Sequence, residues 1–359
     1  DVVVDAILAK KNLGTRITDA PFVIGVGPGF YAGKDCHCVI ETKRGHTLGS
    51  VIWEKEAIPN TGVPGNIGGF TTERLIRASA DGIMEPVAEI GDTVEKGQLV
   101  ARTGKQPVYA KMSGIVRGML QKDVQVTEGL KIGDIDARCE PEHCVTISDK
   151  ARAVGGGVLE AVSLFGQIYG NYGVALLAAG EAKRFGSDKL SEKFQGIPLY
   201  RHALEKLEAF SGLSRVVVTA REALAEEAQR LGIHIVENRQ PEQGISHSVS
   251  LALQELLSQN PDLEGVLFLV CDQPGIQAAT IQKILNEGCL HKNSIVCAGY
   301  DGMRGNPVLW GSTYFQELMH LTGDTGGRQL MKQYEEKIRI VECAPEELKD
   351  IDRREDMTE

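Results

Sequence analysis

The chain has 359 residues, 42% of them hydrophobic, and a formal net charge of -10. That length allows two or three domains with their own cores, and the acidic balance excludes a general nucleic-acid or anionic-membrane binder, which needs a surplus of Lys and Arg on one face. Any phosphate site must therefore be local, and without a run of about 18 apolar residues, a basic leader or a small-residue cleavage site the expectation is a cytoplasmic chain with no membrane span.

The first residues, DVVVDAILAKKN, lack a methionine and read as a strand over 2–4 followed by a helical stretch, as in the middle of a domain, so further residues are expected upstream. Residues 1–80 mix short apolar runs with turns (PFVIGVGPGF, IPNTGVPGNIGG) and the helix-like TTERLIRASA, a partial α/β region. GVGPGF and GNIGGF are rich in glycine, yet neither lies between a strand and a helix, so turns are expected there and not phosphate loops. The eight cysteines, Cys36, Cys38, Cys139, Cys144, Cys271, Cys289, Cys297 and Cys343, are expected as reduced thiols in a chain without a secretion signal. Cys36, His37 and Cys38 could join Cys139, His143 and Cys144 in a soft metal site, although the spacing matches no standard zinc pattern and CHCVIET also reads as a strand start.

From 81 to 137 short strands alternate with Gly-Asp and Lys-Gly turns, and IGDTVEKGQLVA echoes DVQVTEGLKIGDI. This segment resembles the barrel-sandwich hybrid of biotinyl and lipoyl domains. The connection from Gln98 to Ala110 around Lys105 is too short for a carrier lysine, so an unmodified domain is expected. Residues 138–170 read as a linker with a helix capped by Ser148 and interrupted at Gly155, Gly156 and Gly157.

Residues 171–359 alternate strand signals (GVALLAA, RVVVTA, IHIVEN, GVLFLVCD, SIVCAG, IRIVE) with helical runs (RHALEKLEAF, EALAEEAQRL, SVSLALQELL). The prediction is an α/β fold, a doubly wound, mostly parallel, Rossmann-like sheet, whose ligands bind at the carboxyl ends of the strands. Three loops there carry chemistry. In LAAGEAKRFGSDK, Gly180 lets backbone approach a phosphate, while Lys183, Arg184 and Lys189 neutralise it. In CDQP, Asp272 suits Mg2+ on a nucleotide, which needs only one or two protein oxygens. In PEQGISHSVSLAL, Gly244, Ser246 and Ser248 offer amides and hydroxyls to a base, ribose or phosphate. Singly, each loop also reads as an ordinary turn or helix cap.

In order, L-A-A-G, R-x-G-x2-K, G-x-S-x-S, D-Q-P, G-N-P-V, G-D-x-G and the D-I-D of Asp350, Ile351 and Asp352 resemble the nucleotidyltransferases that attach CMP to the molybdopterin cofactor, the MocA-like NTP transferases. The resemblance implies that Leu177, Ala178, Ala179, Gly180, Gly186, Gly244, Ser246 and Ser248 hold CTP. It makes Arg184 and Lys189 stabilise the triphosphate, Asp272 hold Mg2+ (or Mn2+), Gln273 and Pro274 face the pterin acceptor, and Asn306 and Asp324 orient the pterin or make a second metal contact. Ala179, where GMP-attaching relatives usually have Gly, favours CTP; Ala182 and Phe185 depart from the usual Ser and Met or Leu. RGNPVLW reads equally as a tight turn into an edge strand, and GDTGGRQL as a helix start capped by Asp324.

The first half resembles a second family, the YqeB-type proteins associated with selenium-dependent molybdenum hydroxylases, through GPGFYAGKDCHCVIETKRGHTLGSVIW, GLKIGDIDAR and ISDKARAVGGGVLEAV. The glycine-rich start usual in that family is absent, which again predicts missing upstream residues. The two resemblances together imply transfer of CMP from CTP to the molybdopterin cofactor, with a molybdenum hydroxylase apoprotein as partner. A delivery protein without turnover, or a transferase acting on another phosphorylated acceptor, remain as alternatives.

Overall fold

The computed structural model describes residues 1–62, 64–168, 170–180 and 188–358. The chain divides into two compact units, one of residues 1–42, 49–58 and 156–359, the other of residues 43–48 and 59–155.

The larger unit is built on a seven-stranded sheet. Across it lie His234–Glu237, Ser214–Thr219, Tyr172–Leu177, Gly265–Val270, Met303–Gly311, Ile295–Tyr300 and Ile338–Glu342, parallel throughout except for Met303–Gly311. The interior strand Tyr172–Leu177 is apolar on both sides because both faces are covered: Val174 and Leu176 enter one core, Ala175 and Leu177 the other. Helices Leu199–Glu208 and Ala278–Leu290 cover the first face, and helix Ile245–Gln259 the second. This is the doubly wound α/β sheet expected from the alternating pattern. Each fully buried Leu or Val contributes roughly 1.5–3 kcal/mol.

RGNPVLW corrects one reading. It lies in an interior strand, not at an edge, and Asn306 and Pro307 are two residues set against one step of the neighbour, between the pairs Cys297–Val308 and Ala298–Gly305. A proline, with no N–H to give the ladder, is tolerated at such a bulge.

Residues 1–42 fall in the same compact unit as residues 156–359, not in a separate domain ending near residue 80. Strands Val2–Asp5, Phe22–Val26 and Cys38–Ile40 run parallel, with Val51–Ile52 antiparallel at the side. The helix expected after the first strand does not form. Leu8 and Lys10 adopt φ of 60° and 62°, and the Asn12 side chain takes the amides of Gly14 and Thr15, both at 2.8 Å, so local side-chain bonding wins over helix. Phe22 stacks on Phe165 at 4.6 Å, and buried His37 receives the Val23 amide on Nδ1 at 2.9 Å while its Nε2 meets the Ala209 carbonyl at 2.6 Å. Cys36 and Cys38 are fully buried, and burial pushes the Cys36 thiol up to about 12, which disfavours a metal-ligating thiolate.

Helix Asp149–Ile168 runs unbroken through Gly155, Gly156 and Gly157, correcting the predicted interruption. Ser148 does cap it, its Oγ accepting from the Ala151 amide at 3.2 Å. The helix survives because Ala161, Phe165 and Ile168 are buried and Gly157 lies where a Cβ would sit 2.0 Å from the Gly49 carbonyl oxygen, a close approach only glycine allows.

The smaller unit holds eight short strands between Leu75 and Asp136. Counted along the chain, strands one, three, six and eight make one antiparallel sheet and two, four, five and seven the other, around Met84, Val100, Val116, Ile132 and Ile135. The barrel thus begins before residue 81, since TTERLIRASA is a 3-10 turn, Thr72–Arg74, leading into strand Leu75–Arg77 with Leu75 and Ile76 buried, and not a helix. Lys105 lies in the two-residue turn with Gly104, at φ of 71° and 54°, between Leu99–Thr103 and Gln106–Tyr109.

Candidate active site

A cleft of about 450 Å³ opens at the carboxyl ends of strands Tyr172–Leu177 and Gly265–Val270. Leu177, Ala178, Ala179 and Gly180 form one wall, and among the described residues beyond its chain neighbours none comes within 4 Å of where a Gly180 Cβ would sit. Arg184 and Gly186, with Ala182, Lys183 and Phe185, fall outside the described residues.

Lys189 begins the 3-10 turn Lys189–Ser191 and reaches across the cleft. Its Nζ lies 2.9 Å from Asp272 Oδ2 and 3.8 Å from Asp352 Oδ1. Asp272 sits just past the strand Gly265–Val270, and its carbonyl receives the Ile351 amide at 2.9 Å, which draws the D-I-D segment onto the site. Gln273 turns away from the cleft. Buried, it donates from Nε2 to Asp350 Oδ1 at 2.8 Å and to the Leu348 carbonyl at 3.4 Å, bracing that segment. Burial and then the charges of Asp272 and Asp352 raise the Asp350 carboxyl above its ordinary range, against the Gln273 bond. Gln273, Pro274 and Asn306 are not among the residues lining the cleft.

On the opposite wall Gly244 adopts φ of 84°, and helix Ile245–Gln259 starts there. The Ile245 amide donates to Asp324 Oδ1 at 3.3 Å, so Asp324 caps this helix and not the one following it, Arg328–Gln333, whose cap position is Gly327. Asp324 and Ser248 line the cleft, and Ser248 Oγ accepts from Asn238 Nδ2 at 3.0 Å. Ser246 is fully buried and does not line it.

Sequence reasoning passed over Arg221. It follows strand Ser214–Thr219, lines the cleft and bonds Asp188, Ala178 and Gly180. The available signal was its place directly after a buried strand in a sheet whose loops carry the chemistry. The described lining holds four carboxylates, Glu242, Asp272, Asp324 and Asp352, against two cations, Lys189 and Arg221. Among the described residues no group of three or more His, Cys, Asp or Glu is placed to enclose a metal by itself.

Residues 174–338 match the family described as the MobA-like NTP transferase domain. The C-terminal half of the chain carries such a domain. Three curated proteins are similar to parts of the chain. The uncharacterized protein YqeB of Escherichia coli (strain K12) is 57% identical over 162 residues, 45% of this chain and 30% of that one. The purine catabolism protein PucB of Bacillus subtilis (strain 168) is 28% identical over 168 residues, 44% of this chain and 78% of that one. A probable molybdenum cofactor guanylyltransferase of Thermococcus gammatolerans is 37% identical over 62 residues, 17% of this chain and 32% of that one. The chain thus spans less than a third of the length of YqeB.

Proposed function

We propose that the NTP transferase domain moves CMP from CTP to the phosphate of the molybdopterin cofactor, releasing pyrophosphate, in maturation of a molybdenum hydroxylase. The observation that carries the reading is the Lys189–Asp272 pair in a cleft walled by Leu177, Ala178, Ala179 and Gly180. The transferase family match and the 37% identity to a probable molybdenum cofactor guanylyltransferase support the reaction class and the acceptor, and Ala179 supports cytidine over guanosine. The 57% identity to YqeB over 162 residues supports a YqeB-type region in the chain.

The donor set fits Mg2+ or Mn2+. Asp272 and Asp352 offer hard oxygens, 30% and 58% exposed, that already converge on one ammonium. The carboxylates of Glu242, Asp272, Asp324 and Asp352 in the described lining repel a bare triphosphate, and an accompanying divalent ion would offset that repulsion alongside the cleft's cations. When bound, that ion supplies charge neutralisation on the phosphates. Lys189 stabilises the developing pyrophosphate charge, the 178–180 backbone aligns the α-phosphorus for in-line attack, and Ser248 with the start of helix Ile245–Gln259 orients the nucleoside end. No protein nucleophile is required.

Pyrophosphate release is to be measured with CTP, GTP and ATP in turn, each with Mg2+ and molybdopterin cofactor, for the wild type and Asp272→Ala. Release with CTP alone, abolished in the variant, is expected. Release with GTP alone would replace cytidylyl by guanylyl transfer, and CTP binding without release would leave a delivery protein.

A further inference from the structure

We infer that Arg221 is a positioning residue that clasps the two described flanks of residues 181–187 and so sets where Lys189 meets Asp272; the inference rests on the nucleotide reading of the cleft. The Arg221 backbone is fixed by its place at the end of strand Ser214–Thr219, where its amide donates to Thr219 Oγ1 at 3.0 Å. From there the guanidinium makes three bonds in three directions. Nη1 donates to the Ala178 carbonyl, Nη2 to the Gly180 carbonyl at 3.0 Å, and Nε to Asp188 Oδ1 at 2.6 Å.

Those acceptors sit on opposite sides of one gap in sequence. Ala178 and Gly180 end the segment leaving strand Tyr172–Leu177, and Asp188 begins the segment returning to the cleft. A planar fork with fixed N–H directions can hold both at a set separation, which a single ammonium on a flexible stem cannot. The restraint passes onward. Asp188 also takes the Ser191 hydroxyl at 2.6 Å and the Ser191 amide on its carbonyl at 3.1 Å, which ties it to the turn Lys189–Ser191. That turn carries the Lys189 Nζ placed 2.9 Å from Asp272. The side chain is 19% exposed and lines the cleft, so the fork lies within the site and not on an outer surface, where a lone ion pair contributes little.

The test measures amide exchange at Ser191 and Glu192 without nucleotide, and binding of CTP and CMP with Mg2+, for wild type, Arg221→Ala, Arg221→Lys and Asp188→Asn. All three variants should exchange at these two amides at least tenfold faster while the strand amides of Tyr172–Leu177 stay protected, which shows that the fold is intact. CTP affinity should fall at least tenfold in Arg221→Ala, and more than CMP affinity, because the clasped segments face the phosphate chain. Arg221→Lys should not restore it. Unchanged exchange in Arg221→Ala, or full restoration by lysine, overturns the clasp. Faster exchange with unaltered CTP affinity overturns its role in positioning. Faster exchange in a protein whose wild type binds neither nucleotide supports the clasp and instead overturns the nucleotide reading.

Discussion

Lys189 Nζ lies 2.9 Å from Asp272 Oδ2, joining a turn after the first strand of the transferase half to the loop after its central neighbour. Lys189 is 12% exposed and Asp272 30%, so each charge is partly withdrawn from water and depends on the other.

If the two act as a unit, their removals do not add. Lys189→Met and Asp272→Asn should each lower turnover by about 10²–10³-fold, the scale for losing one electrostatic stabiliser. The double variant should fall no more than about tenfold below the worse single one. Initial rates of pyrophosphate release check this, and fully multiplicative losses would show independent roles.

Gly244 is tied to its place twice, by φ of 84° and by neighbours 2.6 Å from where a Cβ would stand, Asp324 Oδ1 and the Gly323 carbonyl carbon. Gly244→Ala should cost about 1–3 kcal/mol and dislodge Asp324 from the Ile245 amide. A thermal melt should therefore show a lower midpoint. Weaker CTP binding should accompany it, because the displaced wall faces the nucleoside end of the cleft.

His37 makes the larger unit acid-sensitive. Burial lowers its pKa from 6.5 to about 4, its two backbone bonds only partly offsetting this. The unfolded chain therefore takes up the proton first as pH falls, and stability present above 6.5 is lost progressively down to about 4, where the folded state protonates as well. The scale is about 3 kcal/mol from 1.36 kcal/mol per pH unit. Urea midpoints between pH 7 and pH 4 should fall more steeply in wild type than in His37→Gln, and parallel slopes would contradict this assignment.

The sheet was legible because its strands are continuous apolar runs. GVLFLV and RVVVT are buried along most of their length, as strands of a sheet covered on both faces are. The barrel was legible through its echoing turns. The first region was legible only in part: the strand over 2–4 and the strand in CHCVIET are there, but side-chain bonding at Asn12 and the burial of Leu75 and Ile76 depend on tertiary partners that local pattern does not reveal. At the site, Leu177, Ala178, Ala179, Gly180, Lys189, Gly244, Ser248, Asp272 and Asp324 were named from sequence and line one cleft. Gln273 and Ser246 were named as ligand contacts but lie inward, because a motif gives position along the chain and not the direction of a side chain. Arg221 escaped notice because an arginine at a helix start reads as solvent-exposed until its three acceptors are seen together.

The mass of the acceptor product reads out which bond the protein forms. The wild type is to be incubated with molybdopterin cofactor, Mg2+ and an equimolar mixture of CTP and GTP, and the products separated and weighed. The account predicts a cofactor species heavier by one CMP unit, absent with Asp272→Asn. Unmodified cofactor beside intact CTP and GTP would contradict it.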